Sequence, residues 1–385
     1  MALSLLLQSS DASVFDKIVS ALYVFSLLQI AIYTSDHGFG HAVRAAFLAE
    51  ALIQRGAFCH IICDRPDWLF NRLPPDSFSL HARQIDTGLV QSDWLNIDIN
   101  ATLDRHRIRT ANPEILIANE VAFLRQINAD LVVAETAPIA LEIAHRADLP
   151  GVLISNFDWH WLYRELAREH RGLAPLAEQA HSYYQHAVEV LRLPLHVGIE
   201  ETFVHFTDIP LLVGQKHRDQ TTVRHALDLP PDAKALMWNF GGHTGATPDF
   251  NALLDALPDW HLLSYAEYAT DNPRYRRIPL GHNTSELFST LDALIGKPGY
   301  CTCAEAFAQQ IPFLYFAREG YPEDEALATH CQREMNTVRL YPQDLHDGTW
   351  LEKFHSTLAQ PQKPKPRADG AAQAAIHFID LCTKG

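Results

Sequence analysis

Two histidines bracket two glycines in Tyr33-Thr34-Ser35-Asp36-His37-Gly38-Phe39-Gly40-His41-Ala42-Val43-Arg44, and no other stretch of the chain is as dense in chemistry. Gly38 and Gly40 let backbone approach a ligand closely, and a helix opening there turns free N–H groups toward an anion. His41 falls in the first turn of that helix, a position that keeps an imidazole neutral and basic. Such a base takes a proton from a hydroxyl. Glu135 follows the run 129–134 (ADLVVA) and is placed to orient the ring, a base with its orienter and no protein nucleophile. Other readings stay open. The turn resembles the dinucleotide pattern G-x-G-x-x-G, with Val43 where the third glycine belongs and Asp64 available to a ribose. His41 could be a cap or structural histidine, and Glu135 could cap the next helix.

The elements that must position these residues are legible as alternating periods. Residues 27–34 (LLQIAIYT) read as a buried strand, 42–55 as a helix stopped at Gly56, and 57–63 (AFCHIIC) as a second strand. In open α/β sheets ligands sit at the carboxyl ends of strands, where the glycine turn lies. Further strands are expected at 78–86, 129–134 and 151–155. A helix is expected at 113–127, with Asn112 as cap and Pro113 in its first turn. Another runs from Asn156-Phe157-Asp158-Trp159 to about residue 169. The texture changes at 203–220, and a second series begins. A strand at 235–240 ends in Gly241-Gly242, and one at 292–295 ends in Gly296-Lys297-Pro298-Gly299. A helix at 302–310 and a strand at 312–316 follow. The alternation predicts an α/β fold, mostly parallel sheet with helices on both faces. The expected units are an extension at 1–27, an α/β domain at 28–207, a second at 208–367, and a closing helix within 368–385 after the proline-rich QPQKPKPR.

The second series carries its own candidates. Gly241-Gly242 and the 296–299 turn are strand-to-helix junctions suited to cradling phosphate. Thr302-Cys303-Ala304-Glu305 fits a capping box, and Glu305 equally suits the two hydroxyls of a ribose. Arg318 suits a phosphate, while Glu323, Asp324 and Glu325 suit a sugar's hydroxyls or a solvated loop.

The bulk numbers bound the class. A chain of 385 residues with 47% hydrophobic and 20% charged residues is an ordinary globular composition, long enough for two domains. A formal charge of −15, without a basic stripe, argues against nucleic acid as a partner. Six cysteines form no small-domain disulfide framework, and Cys301-x-Cys303 lacks zinc spacing, so free thiols and no bound metal are expected. The first 26 residues lack a basic leader and cleavage site, and the apolar run at 18–33 is too short to span a bilayer. They read as an amphipathic extension of a cytoplasmic protein, with peripheral contact at the inner face of a membrane left open.

The segment H-G-F-G-H-A-x-R (His37 to Arg44) resembles the opening of the glycosyltransferase-like half of plant L-arabinokinases. The likeness runs on through Gly88-Leu89-Val90-Gln91-Ser92-Asp93, residues 129–138, Ser155-Asn156-Phe157-Asp158-Trp159, Asn239-Phe240-Gly241-Gly242 and residues 294–305, over roughly 30–339. The likeness does not extend to the sugar-kinase half of those enzymes, so arabinokinase activity is not expected. More widely the chain is similar to the glycosyltransferase B superfamily, two facing Rossmann-like domains with a cleft between. That resemblance implies an inverting glycosyltransferase with His41 as base and Glu135 as its acidic partner. It puts a nucleotide-sugar, UDP-linked by analogy with the UDP-glycosyltransferases, on the second domain at Gly241, Gly242, Gly299, Thr302, Glu305, Arg318, Glu323 and Asp324. His37, Gly38, Gly40, Arg44, Asn156 and Asp158 fall on the acceptor side. The superfamily usually works without a bound metal or other cofactor, and the partners implied are a nucleotide-sugar and a small-molecule or lipid acceptor. A sugar-nucleotide epimerase, a non-catalytic sugar-nucleotide module and a dinucleotide oxidoreductase are the alternatives.

Overall fold

The computed structural model describes residues 27–93, 96–109, 112–240 and 248–383. The expected N-terminal extension and the Gly241-Gly242 cradle lie outside the described residues. The first strand, β1 (Gln29–Thr34), is apolar on both faces and buried from Ile30 onward. Such a strand needs neighbours on both edges and helices on both faces. It finds β2 (Phe58–Ile62) on one side and β4 (Leu131–Glu135) on the other. With β3 (Phe78–His81), β5 (Gly151–Ser155), β6 (Glu189–Arg192) and β7 (Thr207–Asp208) the sheet has the order β3-β2-β1-β4-β5-β6-β7, every pairing parallel. The order reverses between β1 and β4, the crevice where ligands of such sheets bind.

Helix α1 (Gly40–Ile53) begins two residues before its expected start, which puts His41 at the second helical position. The third strand ends at His81 rather than continuing to residue 86. The chain leaves the sheet there, and Asp86 accepts from Ser35 Oγ (3.1 Å) and the Asp36 amide (2.8 Å) behind the glycine turn. Asn112 occupies the expected cap position of the 113–126 helix, but its side chain makes no capping bond.

The second sheet comprises β8 (Lys234–Asn239), β9 (Trp260–Ser264), β10 (Tyr275–Arg277), β11 (Ala293–Gly296), β12 (Phe313–Tyr315) and β13 (Thr337–Arg339), all parallel, in the order β10-β9-β8-β11-β12-β13. Its switch point lies between β8 and β11, so α3 (Tyr300–Gln309), which follows β11, opens onto the same cleft as α1. Helix α2 (Trp159–Ala167) follows β5, and α4 (Pro322–Glu334) follows β12.

The chain passes between the two sheets twice. After β7 it crosses to the second domain, and before the last helix, α5 (Gly370–Thr383), it crosses back. The two passages are tied together: Leu211 N donates to Arg367 O (3.1 Å) and Gly370 N to Leu211 O (3.0 Å). Helix α5 then packs through Ala371, Ala374, Ala375 and Phe378 against α1 of the first domain. The six cysteines are unpaired. Among the described residues no helix is long and apolar enough to cross a membrane.

Candidate active site

The parallel register sets Thr34 of β1 directly beside Glu135 of β4, so the glycine turn and the Glu135 carboxylate emerge at one sheet edge. Thr136, next in the chain, holds φ +63°, unusual for a β-branched residue. Tyr184 Oη donates to its carbonyl (2.6 Å), and its hydroxyl shares a hydrogen bond with Ser155 Oγ (2.7 Å). The chain turns sharply here, and Glu135 points at α1 instead of capping the next helix. His41 Nδ1 lies 2.6 Å from Glu135 Oε2. A carboxylate only accepts, so Nδ1 carries a proton, and in the neutral ring Nε2 carries the lone pair.

Arg44, one helical turn on from His41, completes the arrangement. Its Nε donates to Glu135 Oε1 (2.5 Å) and its Nη1 to Asn156 Oδ1 (2.9 Å), while Tyr300 of α3 lies 4.9 Å beneath the guanidinium. Nη2 also comes within 3.0 Å of His41 Nδ1. With that nitrogen's proton committed to Glu135, two donors face each other and this contact is packing, not a hydrogen bond. Glu135 is buried, yet Arg44 and His41 together hold its carboxyl below the ordinary value against the cost of burial.

His41 and Arg44 line a cavity of about 280 Å³ between the domains. On the second domain's side the cavity meets Asn239, Lys297, Gly299, Thr302, Glu305, Arg318 and Glu323. Burial and the neighbouring Arg318 pull the Lys297 ammonium down to about 7. Arg318 is itself locked to Asp324 through Nε (3.0 Å) and Nη2 (2.6 Å), and its Nη1 is buried with no partner among the described residues. Glu305 accepts from Ser285 Oγ, and its Oε2 is likewise buried without a partner among the described residues. Burial raises its carboxyl to about 7. The cavity thus offers cations for an anion and a carboxylate oxygen for a hydroxyl.

The sequence candidates separate on this geometry. His37, Gly38, Gly40, His41 and Arg44 line the cavity, as do Gly299, Thr302, Glu305, Arg318 and Glu323. The capping-box alternative for Glu305 is not realised, because α3 starts at Tyr300 and the Glu305 side chain turns to Ser285. His37 is closed off from acid–base work: Nδ1 donates to Leu89 O (3.0 Å), Nε2 accepts from Tyr321 Oη (3.2 Å), and burial keeps its pKa well below the usual value. Three residues are not cavity residues. Asp158 is the N-cap of α2, accepting from Trp161 N (2.7 Å) with no exposed surface. Asp324 is consumed by Arg318, and Asn156 is wholly buried between Arg44 and Glu323. Asp64, the ribose partner of the dinucleotide reading, is exposed and also away from the cavity.

Lys297, read only as part of a turn, and Tyr321, which spans the cleft to His37, are the residues that sequence reasoning passed over. Asp158 carried its signal, an N-cap residue type placed before the helical run. Among the described residues no group of three or more metal-ligating side chains comes together.

No family model matches the chain. The L-arabinokinase of Arabidopsis thaliana is 28% identical over 365 residues, which are 91% of this chain and 34% of that protein. The chain therefore spans about a third of the length of the curated relative it matches. Among solved structures, the calicheamicin glycosyltransferase CalG4 matches with a TM-score of 0.58 at 18% identity, covering 92% of this chain and 94% of that one. Arabidopsis thaliana UGT89C1, complexed with UDP, matches with a TM-score of 0.59 at 12% identity, covering 93% and 96%. With two parallel six- and seven-stranded sheets facing one cleft, the chain has the fold of the glycosyltransferase B superfamily, two Rossmann-like domains.

Proposed function

We propose that the chain is an inverting glycosyltransferase that moves a sugar from a nucleotide diphosphate sugar, UDP-linked, to an acceptor hydroxyl. One observation carries the reading: a histidine with its Nδ1 proton fixed by a buried carboxylate at 2.6 Å lines the same cavity as the buried Arg318 guanidinium, the half-buried Lys297 amine and an unpartnered carboxylate oxygen. His41 Nε2 takes the acceptor proton as the acceptor oxygen attacks the anomeric carbon from the face opposite the diphosphate. The bond from that carbon to the diphosphate oxygen breaks, and the nucleotide leaves with its electron pair. Glu135 holds the imidazole in the productive tautomer and balances the charge it gains. Lys297, Arg318 Nη1 and the amides opening α3 meet the charge that develops on the leaving diphosphate. Glu305 Oε2 suits the ribose hydroxyls. The UDP bound to a solved protein of this fold supports the choice of nucleotide.

The test has two stages. A panel of nucleotide-sugars is screened for thermal stabilisation, and whichever binds is assayed for hydrolysis and transfer. His41→Ala is expected to lower turnover at least about 10²-fold, in line with the loss of a general base, while nucleotide affinity changes less than about threefold. Binding without turnover in the unaltered protein would support a non-catalytic module instead. Product formed without an acceptor, with the sugar epimerised, would support an epimerase.

A further inference from the structure

An unbroken run of hydrogen bonds crosses the cleft. It begins in the second domain at Glu323, at the second residue of α4, whose Oε1 accepts from Asn156 Nδ2 (3.2 Å). Asn156 Oδ1 accepts from Arg44 Nη1 (2.9 Å), Arg44 Nε donates to Glu135 Oε1 (2.5 Å), and Glu135 Oε2 accepts from His41 Nδ1 (2.6 Å). The orientation of the amide is forced. A guanidinium only donates and a carboxylate only accepts, so the oxygen must face Arg44 and the nitrogen must face Glu323. All five residues are buried, where such bonds are strong and losing a partner is costly. Glu323 has no hydrogen bond to His41 or Glu135, so its hold on the dyad passes through Asn156.

Resting on the reading of His41 as a base, we propose that Asn156 is a positioning residue which transmits the placement of Glu323, on the donor-side domain, through Arg44 and Glu135 to the imidazole. When the domains separate, the Asn156–Glu323 bond is the link that parts. The Asn156 side chain is then held at its Arg44 end alone among the described residues, and the brace that sets the Glu135 carboxylate against His41 loosens. The base is fully aligned only with the domains closed.

The His41 Nδ1 proton, so close to a carboxylate, gives an NMR resonance far downfield of the amides, assigned by its loss in His41→Ala. Glu323→Ala, which removes the chain's terminal acceptor without touching His41 or Glu135, is expected to shift that resonance by more than its linewidth. Glu323→Gln keeps an acceptor for Asn156 and should leave it in place. Asn156→Ala should shift it as Glu323→Ala does, and the double variant should go no further. With UDP-glucose hydrolysis as the kinetic probe, each alanine variant is expected to lower kcat about tenfold, and the double variant about tenfold rather than about a hundredfold. An unmoved resonance in Glu323→Ala, or a shift in Glu323→Gln equal to that of the alanine variant, overturns the proposal even if His41 proves to be the base. Multiplicative losses overturn it too. Undiminished turnover in His41→Ala removes instead the reading on which it rests. If Asn156→Ala does not fold, the two Glu323 variants decide alone.

Discussion

Raising the pH should weaken nucleotide binding, and Lys297 sets where. Burial and Arg318 hold its ammonium near 7, so at neutral pH about half of the molecules carry a neutral amine in the cavity. A diphosphate charge about 4 Å away attracts the ammonium by roughly 4 kcal/mol at an effective dielectric of ~20, about three pKa units. Binding should therefore return Lys297 to about 10, with a proton taken up in the process. The ligand prefers the protonated lysine, so affinity falls as pH rises through the lysine's free-state value: about tenfold per unit between pH ~7.5 and ~9. The nucleotide's own terminal phosphate titrates near ~6, below this window. Calorimetry with UDP, in paired buffers of different ionisation enthalpy, should find an uptake of about 0.9 proton at pH ~8, where Glu305 is already mostly ionised. Above pH ~8, where Glu305 is already mostly ionised, Lys297→Met should bind weakly and without slope, and Lys297→Arg should bind well and without slope. A wild-type affinity that is flat over this range, with no proton uptake, would refute the reasoning.

Three further outcomes are expected. Burial raises the Glu305 carboxyl from 4.5 to about 7, so the unfolded chain releases its proton first and this group subtracts stability as pH rises across that interval. Glu305→Gln should then melt higher than the parent at pH 8 by differential scanning fluorimetry, converge with it below pH 4.5, and bind UDP about tenfold more weakly. Gly88 holds φ +57°, and a Cβ there would sit 2.7 Å from His37 Cβ and 2.9 Å from Trp159 Cη2. Gly88→Ala should cost about 2–4 kcal/mol in denaturant titration and disturb the His37 turn. Asp324→Asn leaves the buried Arg318 guanidinium without its counter-charge and should cost about 3–5 kcal/mol by the same measurement.

Much of the candidate site's edge in the first domain was legible because it is local. The apolar run before the turn, the two glycines and the helix formers after Gly40 fix strand, turn and helix within a short span. Parallel pairing of β4 beside β1 then brings Glu135 to the same edge. Edge strands β10 and β13, three residues each and not strongly apolar, gave no run to find. Asn156 and Glu323 were legible as polar residues near strand ends, but their partnership joins residues 167 apart in different domains. No periodicity encodes how two domains meet. The same holds for Asp324: beside Glu323 in a helix first turn it looked equally available, and only the fold shows that Arg318 claims it. The low basicity of Lys297 is likewise a property of enclosure, invisible in a Gly-Lys-Pro-Gly string.

The paired passages between the domains govern how the cleft can open. Because Leu211 is bonded through its backbone to Arg367 and Gly370, and Gly370 sits against Pro210 O too closely for a side chain (2.2 Å from a Cβ built there), the two passages should bend as one strap. A single strap acts as a door hinge rather than a universal joint. A swing of the second domain about that strap is expected to keep both bonds, whereas a slide of one passage along the other would break them.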